Sequence, residues 1–522
     1  MSTESFITKA YDYIATGGST AGLVVAACLS KDPNVTVGVI EAEGNRLDDP
    51  LIDGPSLFIR LWDKPEYDWC FKAVPQNGTA GRDHGWVRGK VLGGSSAVNS
   101  NMFSMASHQD LGNWKELENE GWGFEDLAPY YRKLETINDK YVDPLLRGTS
   151  GPIQVCAINR HVLACYPTPK DPRTGSALGG FNQLTAVDPK TLRRSYSARE
   201  YYQPNIDLEK SDSRGAKATG VSTIVDEATH FVKANKEVII CGGVVSSPQI
   251  LELSGIGSPV VLPKAGIYIV VDNPNIGENL NDHTATGIPI KVKDEYPTAE
   301  VLVRNPEITQ QAREVYIAQN AGPFTNAPTT AGFASLQMID PNLTEPEKHV
   351  LSYLAEHRKQ HPNADPAGRN ELLAHPILDP KEAVMQTLFS MTGFDMRNCD
   401  KPHPKIDNAY FSHPLDLDVC ARGILHSFKL AQIEPLRSKL RLDDNGDPIV
   451  NPGDGFLPRT LEEAKKAASE NTKGAVVDSQ LKVYGTSNVR VVDASIFPLH
   501  VQDNIVSLVY AVAEKAADLI KG

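Results

Sequence analysis

The stretch YDYIATGGSTAGLVVAACLSKDPNVTVGVIEAEG, residues 11 to 44, limits the possible folds more than any other part of the chain. Tyr13 to Thr16 have strand character and run into a double glycine. Ala21 to Ser30 follow as a helix of small residues that can pack close to a sheet, and Val35 to Ile40 alternate as a second strand ending at Glu41. Strand, glycine turn, helix and strand at this spacing predict a nucleotide-binding βαβ unit, with the helix N-terminus facing a pyrophosphate. Glu41 lies 19 residues after Gly22, where a carboxylate accepts hydrogen bonds from a ribose diol. The G-x-G-x-x-G pattern falls on Gly17, Ser19 and Gly22, so serine replaces the middle glycine. Its Cβ narrows the approach to the phosphates, although its hydroxyl could itself bond a phosphate oxygen.

At 522 residues the chain exceeds what one core supports, so more than one domain is expected. A formal charge of -13 with no basic stripe argues against nucleic acid or an anionic membrane as partner. No uninterrupted apolar run is long enough to span a bilayer, and the N-terminus lacks a signal-peptide core. The seven cysteines are scattered without a CxxC pair. That spacing disfavours a zinc site or a disulfide framework and predicts a reducing, cytoplasmic setting.

A second glycine loop, RGKVLGGSSAVNSNMF (88–103), suggests backbone laid against something flat or anionic. Val91, Leu92, Val98 and Met102 are apolar enough to hold it inside. KEVIICGGVVSSPQILELSGIG (236–257) reads as strand, glycine turn and a helix opened by Ser247-Pro248. NPNIGENLNDH (273–283) and the strand NVRVVDASIFPL (488–499), which runs into Asp493, complete the set.

Together these segments resemble the glucose–methanol–choline (GMC) oxidoreductases from about Tyr11 to Lys521, and look closest to fungal aryl-alcohol or alcohol-oxidising members. The resemblance implies an α/β protein with a Rossmann-like FAD-binding domain and an α+β substrate domain carrying an antiparallel sheet. The FAD domain would be discontinuous, over residues 1–155, 205–285 and 470–522, with 156–204 and 286–469 forming the substrate-binding domain. It implies FAD held at Gly17, Gly18, Ser19, Gly22 and Glu41 on the ADP side. Arg88, Val91, Gly93, Gly94, Ser95 and Asn99 would lie along the pyrophosphate and flavin ring, with Asp493 near the ribityl end and Asn504 and Ile505 at the flavin. The implied reaction takes a proton from a primary or aryl alcohol and passes a hydride to flavin N5, with dioxygen or another acceptor as the final partner.

The catalytic end departs from the family. Asn504 in QDNIVSLVYA matches the second catalytic position, but the segment that should carry the base histidine is absent. No residue from Leu461 to Gln480 is histidine. His500, four residues before Asn504, is the candidate replacement; a loop histidine near a strand end is its plainer reading. Gln502 reads as spacer, and Asp503 is a charge at a position where glycine is common. The stretch Asp207 to Lys217 is also too short for the strand that touches adenine in the family, and a further shortening is suspected before Tyr410. Three explanations stand together: an active oxidase with another base, a flavin-retaining homologue without alcohol oxidation (a lyase, cyclase or binding protein), or a sequence from which real segments are missing. Helical spacing from Ile505 puts Val509, Val512, Ala516 and Leu519 or Ile520 on one stripe. Phe71, Phe103, Phe324, Tyr410 and Phe497 could line an aromatic pocket, though each singly reads as core.

Overall fold

A computed structural model describes all residues except 1–2, 80, 138–142, 144, 157–170, 177, 206–217, 226, 285–289, 297, 326–329, 363–368, 389–403, 451–458, 468–479 and 485. The shortened 207–217 stretch and most of the region that replaces the histidine segment therefore lie outside the described residues.

The N-terminal unit is the predicted βαβ, with boundaries shifted by a few residues: β1 (Ala10–Thr16), α1 (Thr20–Leu29) and β2 (Val37–Ile40). β1 is buried from Tyr11 to Thr16 without alternation, as a parallel strand covered on both faces must be. β1 pairs parallel with β2 on one side and with β4 (Ala228–Ile240) on the other. The far edge of β4 is shared. Its first half pairs antiparallel with β3 (Gly220–Val225), and Val238 to Ile240 pair parallel with β5 (Val489–Val491). The order β2–β1–β4, all parallel, sets the C-terminal ends of the three strands side by side, the end at which such sheets bind ligands.

α2 (Gly243–Leu253) begins before the expected Ser247-Pro248 start, so Pro248 sits inside the helix. The turn ahead of the proline is wound on a side chain: Asp493 Oδ2 accepts from Gly243 N at 2.9 Å and from Ser247 Oγ at 2.6 Å. α3 (Val506–Lys521) carries the predicted stripe, but Ser507, Leu508, Tyr510, Ala511, Ala513, Glu514 and Ala517 are buried as well. The helix is sheathed nearly all round because α1 and the helix Phe124–Leu134 flank it. Glu514 inside this packing accepts from Tyr201 Oη at 2.9 Å and from Cys28 Sγ at 3.3 Å.

Outside the βαβ unit lies the antiparallel sheet that the fold class implies. Thr330–Ala334 is its centre, between Gly179–Asn182 and Met385–Leu388. Helices Pro346–Gln360, Arg369–Leu378 and Pro414–Ala431 build a separate core around Val350, Leu354, Ala374, Leu415 and Leu430. Phe103, Phe324 and Phe497 are buried core residues, as the plainer reading had it. Cys70 is disulfide-bonded, so the expectation of unpaired cysteines fails at that position. Among the described residues no helix is long and apolar enough to cross a membrane.

Candidate active site and cofactor cleft

A cleft of about 1360 Å³ runs along the C-terminal ends of β1, β2 and β4. Gly17, Ser19, Glu41, Gly94, Cys241 and Gly242 are among its walls. The turn after β1 is tight for a reason that can be measured. Gly17 has φ +117°, and a Cβ on Gly22 would lie 2.0 Å from the Gly17 carbonyl oxygen. Only glycine lets the start of α1 approach the strand end so closely. Ser19 is the N-cap of α1: its hydroxyl accepts from Gly22 N at 3.2 Å. Capping uses the hydroxyl oxygen as an acceptor, so its O–H can still donate to a phosphate oxygen.

The second glycine loop is docked on the first. Gly93 N donates to the Gly18 carbonyl at 2.6 Å, and Thr20 Oγ1 accepts from Ser96 N at 3.2 Å. A Cβ on Gly94 would come within 3.0 Å of Ser19 Cα, and one on Gly18 within 2.7 Å of Leu92. Val91 is fully buried, and Ser95 Oγ accepts from Gly89 N at 3.2 Å. Arg194, which the sequence reading missed, fastens the loop from below. Its Nη1 donates to the Asn99 carbonyl at 2.7 Å and Asn99 Oδ1 at 2.8 Å, and its Nε to the Ile52 carbonyl at 2.9 Å. Among the described residues no carboxylate bonds this buried guanidinium, and burial pushes its pKa down to about 10. Asn99 is thus a brace of the loop. Arg88 lies over the Trp86 ring at 4.5 Å, on the side of Asp282 and Tyr410.

Glu41 stands at the end of β2, where the ribose reading needs it. Its Oε1 accepts from Ala42 N at 2.9 Å and Glu43 N at 3.3 Å. Burial raises its pKa to about 7, against the lowering effect of those N–H groups. A diol donating to this carboxyl favours the ionised form, so cofactor binding and deprotonation are linked. The dissociation constant for FAD should therefore fall as pH rises from 6 to 8, by no more than about tenfold per unit. Glu41→Gln should flatten that dependence in a fluorescence titration of the apoprotein; an unchanged slope would place the titrating group elsewhere.

The segment before α3 gathers the catalytic candidates. Asn504 immediately precedes Ile505, the N-cap of α3. Asn504 Oδ1 accepts from Ser104 Oγ and from Gln386 Nε2, both at 3.3 Å, and Gln183 Nε2 donates to Ser104 Oγ at 2.6 Å. With its carbonyl oxygen engaged by two donors, the Asn504 amide nitrogen has no hydrogen-bond partner among the described residues and can donate. Asp503 does not face the cleft. Its carboxylate accepts from Met105 N at 3.1 Å and Asn504 N at 2.6 Å, and burial raises its pKa to about 6. Gln502 is a bridge where the sequence suggested a spacer. Its N donates to Asp110 Oδ2 and its Nε2 to Glu382 Oε2, both at 3.2 Å, while its Oε1 accepts from Ala383 N at 3.1 Å.

His500 Nδ1 lies 3.0 Å from the Val501 carbonyl oxygen, and His283 Nε2 lies 2.8 Å from the same atom. A carbonyl only accepts, so both nitrogens donate and His500 Nε2 carries a lone pair. The two rings are 4.0 Å apart between centroids. Burial, then the neighbouring His283, pushes the His500 pKa down to about 3. No hydrogen bond joins His500 to Asn504 among the described residues. Asp493 binds groups of the chain itself. Its Oδ1 accepts from Ser495 N at 2.9 Å while Oδ2 holds the start of α2, so the carboxylate positions the strand end.

The cleft, the glycine turns that a Cβ would fill, the open N-terminus of α1 and the placed Glu41 fit the elongated, diphosphate-bearing FAD. Comparison with known proteins agrees. The GMC oxidoreductase N-terminal family profile matches residues 11–285 and its C-terminal profile residues 396–513. A dehydrogenase of Armillaria gallica is 31% identical, the match covering 99% of this chain and 94% of that protein. A dehydrogenase of Monascus purpureus is 29% identical over 607 aligned positions, covering 99% and 97%. Because 607 positions exceed the 522 residues of this chain, that relative carries internal stretches that this chain lacks. A solved FAD-dependent oxidoreductase from Chaetomium thermophilum superposes with a TM-score of 0.84 at 26% identity, covering 98% of this chain and 99% of that one. A fungal aryl-alcohol oxidase shares the fold, with a TM-score of 0.80 at 22% identity and 98% of each chain covered. The chain belongs to the GMC oxidoreductases, a family of FAD-dependent oxidoreductases.

Proposed function

We propose that the protein oxidises a primary or aryl alcohol to its carbonyl compound, with dioxygen or another small acceptor taking the electrons. The observation that carries this reading is the state of Asn504: oxygen tied down by Ser104 and Gln386, amide nitrogen left to donate. Bound FAD supplies a hydride acceptor, as flavins do. Asn504 holds the substrate oxygen, and the first turn of α3 behind it offers its unpaired N–H groups to developing negative charge. His500 Nε2 accepts the hydroxyl proton. Its depressed pKa keeps it neutral, so the accepting form is fully populated at ordinary pH, while the same shift lowers the driving force for taking the proton.

A second reading is favoured by one observation: no histidine lies between Leu461 and Gln480, where the resemblance places the family's base. On that reading the protein retains FAD but does not oxidise alcohols. Whether alcohols bleach the bound flavin with oxygen excluded separates the two.

A further inference from the structure

We infer that Phe6 and Ile7, ahead of the nucleotide fingerprint, form with β3 an apolar subsite for the adenine ring of the cofactor. The inference rests on the FAD reading and extends it to residues outside the glycine motif. Phe6 and Ile7 belong to the short helix Thr3–Ile7, which lies against the βαβ unit. Both side chains line the same cleft as Gly17, Ser19 and Glu41, and both are only partly buried. The Phe6 ring is braced by Tyr11 of β1, with centroids 4.9 Å apart and planes inclined by 34°. Val221 and Ile224 of β3 line the cleft too, and Ile224 is 73% exposed although it sits in an apolar wall.

Geometry decides what this wall covers. The N-terminus of α1 would hold the pyrophosphate, and Glu41 at the end of β2 would hold the ribose. The base must extend from the ribose, and the cleft supplies Val39, Ile40 and the Phe6 ring as apolar neighbours. A flat, uncharged purine suits such a surface: it stacks on an aromatic face and removes aliphatic side chains from water.

The test compares FAD with FMN, which has the flavin and a phosphate but no adenosine. Apoprotein is titrated with each, following the quenching of flavin fluorescence. Phe6→Ala should weaken FAD about 10-fold while leaving FMN binding unchanged. Phe6→Trp, which keeps a stacking face, should stay near the wild-type affinity for FAD. Unchanged FAD affinity in Phe6→Ala would overturn the subsite. So would an equal loss for FAD and FMN, which would mean that the helix only supports the sheet. Failure of the wild-type protein to bind FAD at all would instead overturn the cofactor reading beneath it.

Discussion

Gly22→Ala should purify without bound flavin, with FAD affinity reduced on the order of 10²-fold. The added methyl would lie 2.0 Å from the Gly17 carbonyl oxygen and 3.1 Å from Cys241 Cβ. Side-chain rotation relieves neither contact, because the first atom is backbone and the second is a Cβ. Gly17 cannot retreat, since its own Cα faces the Cys241 carbonyl, where a Cβ would come within 2.4 Å. The start of α1 must therefore move off the strand end, taking the first-turn N–H groups away from the pyrophosphate. Overpacking of this kind costs about 1–3 kcal/mol in a rigid core, and here the displacement falls on the binding surface itself. The ratio of flavin to protein absorbance reads the outcome. Gly22→Ala protein carrying wild-type FAD would show that the turn is not the pyrophosphate cradle.

His500→Ala should slow reduction of the flavin by alcohol on the order of 10²-fold, with FAD content unchanged. Among the described residues the side chain is bonded only to the neighbouring Val501 carbonyl and packed on His283, so its removal leaves the Asn504 network intact. The pH profile gives an independent sign. A group whose pKa is lowered to about 3 is neutral and able to accept a proton throughout the range above pH 5. The wild-type rate of flavin reduction should therefore show no rising limb near 6.5, where an unperturbed histidine titrates. Stopped-flow measurement from pH 5 to 9 checks this. A His500→Ala rate equal to wild type would return His500 to the role of a loop histidine.

The parts of the fold carried by local pattern were legible in the sequence. The small-residue run of α1 and the alternation of β2 predicted the βαβ unit and set Glu41 at the strand end. Asn504 was picked out because QDNIVSLVYA resembles the family's catalytic segment. What local sequence could not show were partners supplied from far along the chain. Gln183 and Gln386 look like ordinary polar residues in or beside strands, yet they steady Asn504 across more than a hundred residues. Arg194 gives no local sign that it will hold the loop at Asn99. Ser19 and Asp493 were read only for the cofactor, and their capping bonds to the chain were missed. Both are capping residues, and capping is decided by whether a free N–H stands within reach. Gln502 seemed idle for the same reason: Asp110 and Glu382 meet it only in the folded chain.

Alcohol oxidation stands or falls on the reductive half of the cycle. Purified, FAD-loaded protein should be mixed anaerobically with a panel of primary and aryl alcohols while flavin absorbance is followed. At least one alcohol should bleach the flavin and yield its carbonyl compound in equal amount to the flavin reduced. A flavin that bleaches with dithionite but with no alcohol of the panel would contradict the account and leave a flavin-binding homologue that does not oxidise alcohols.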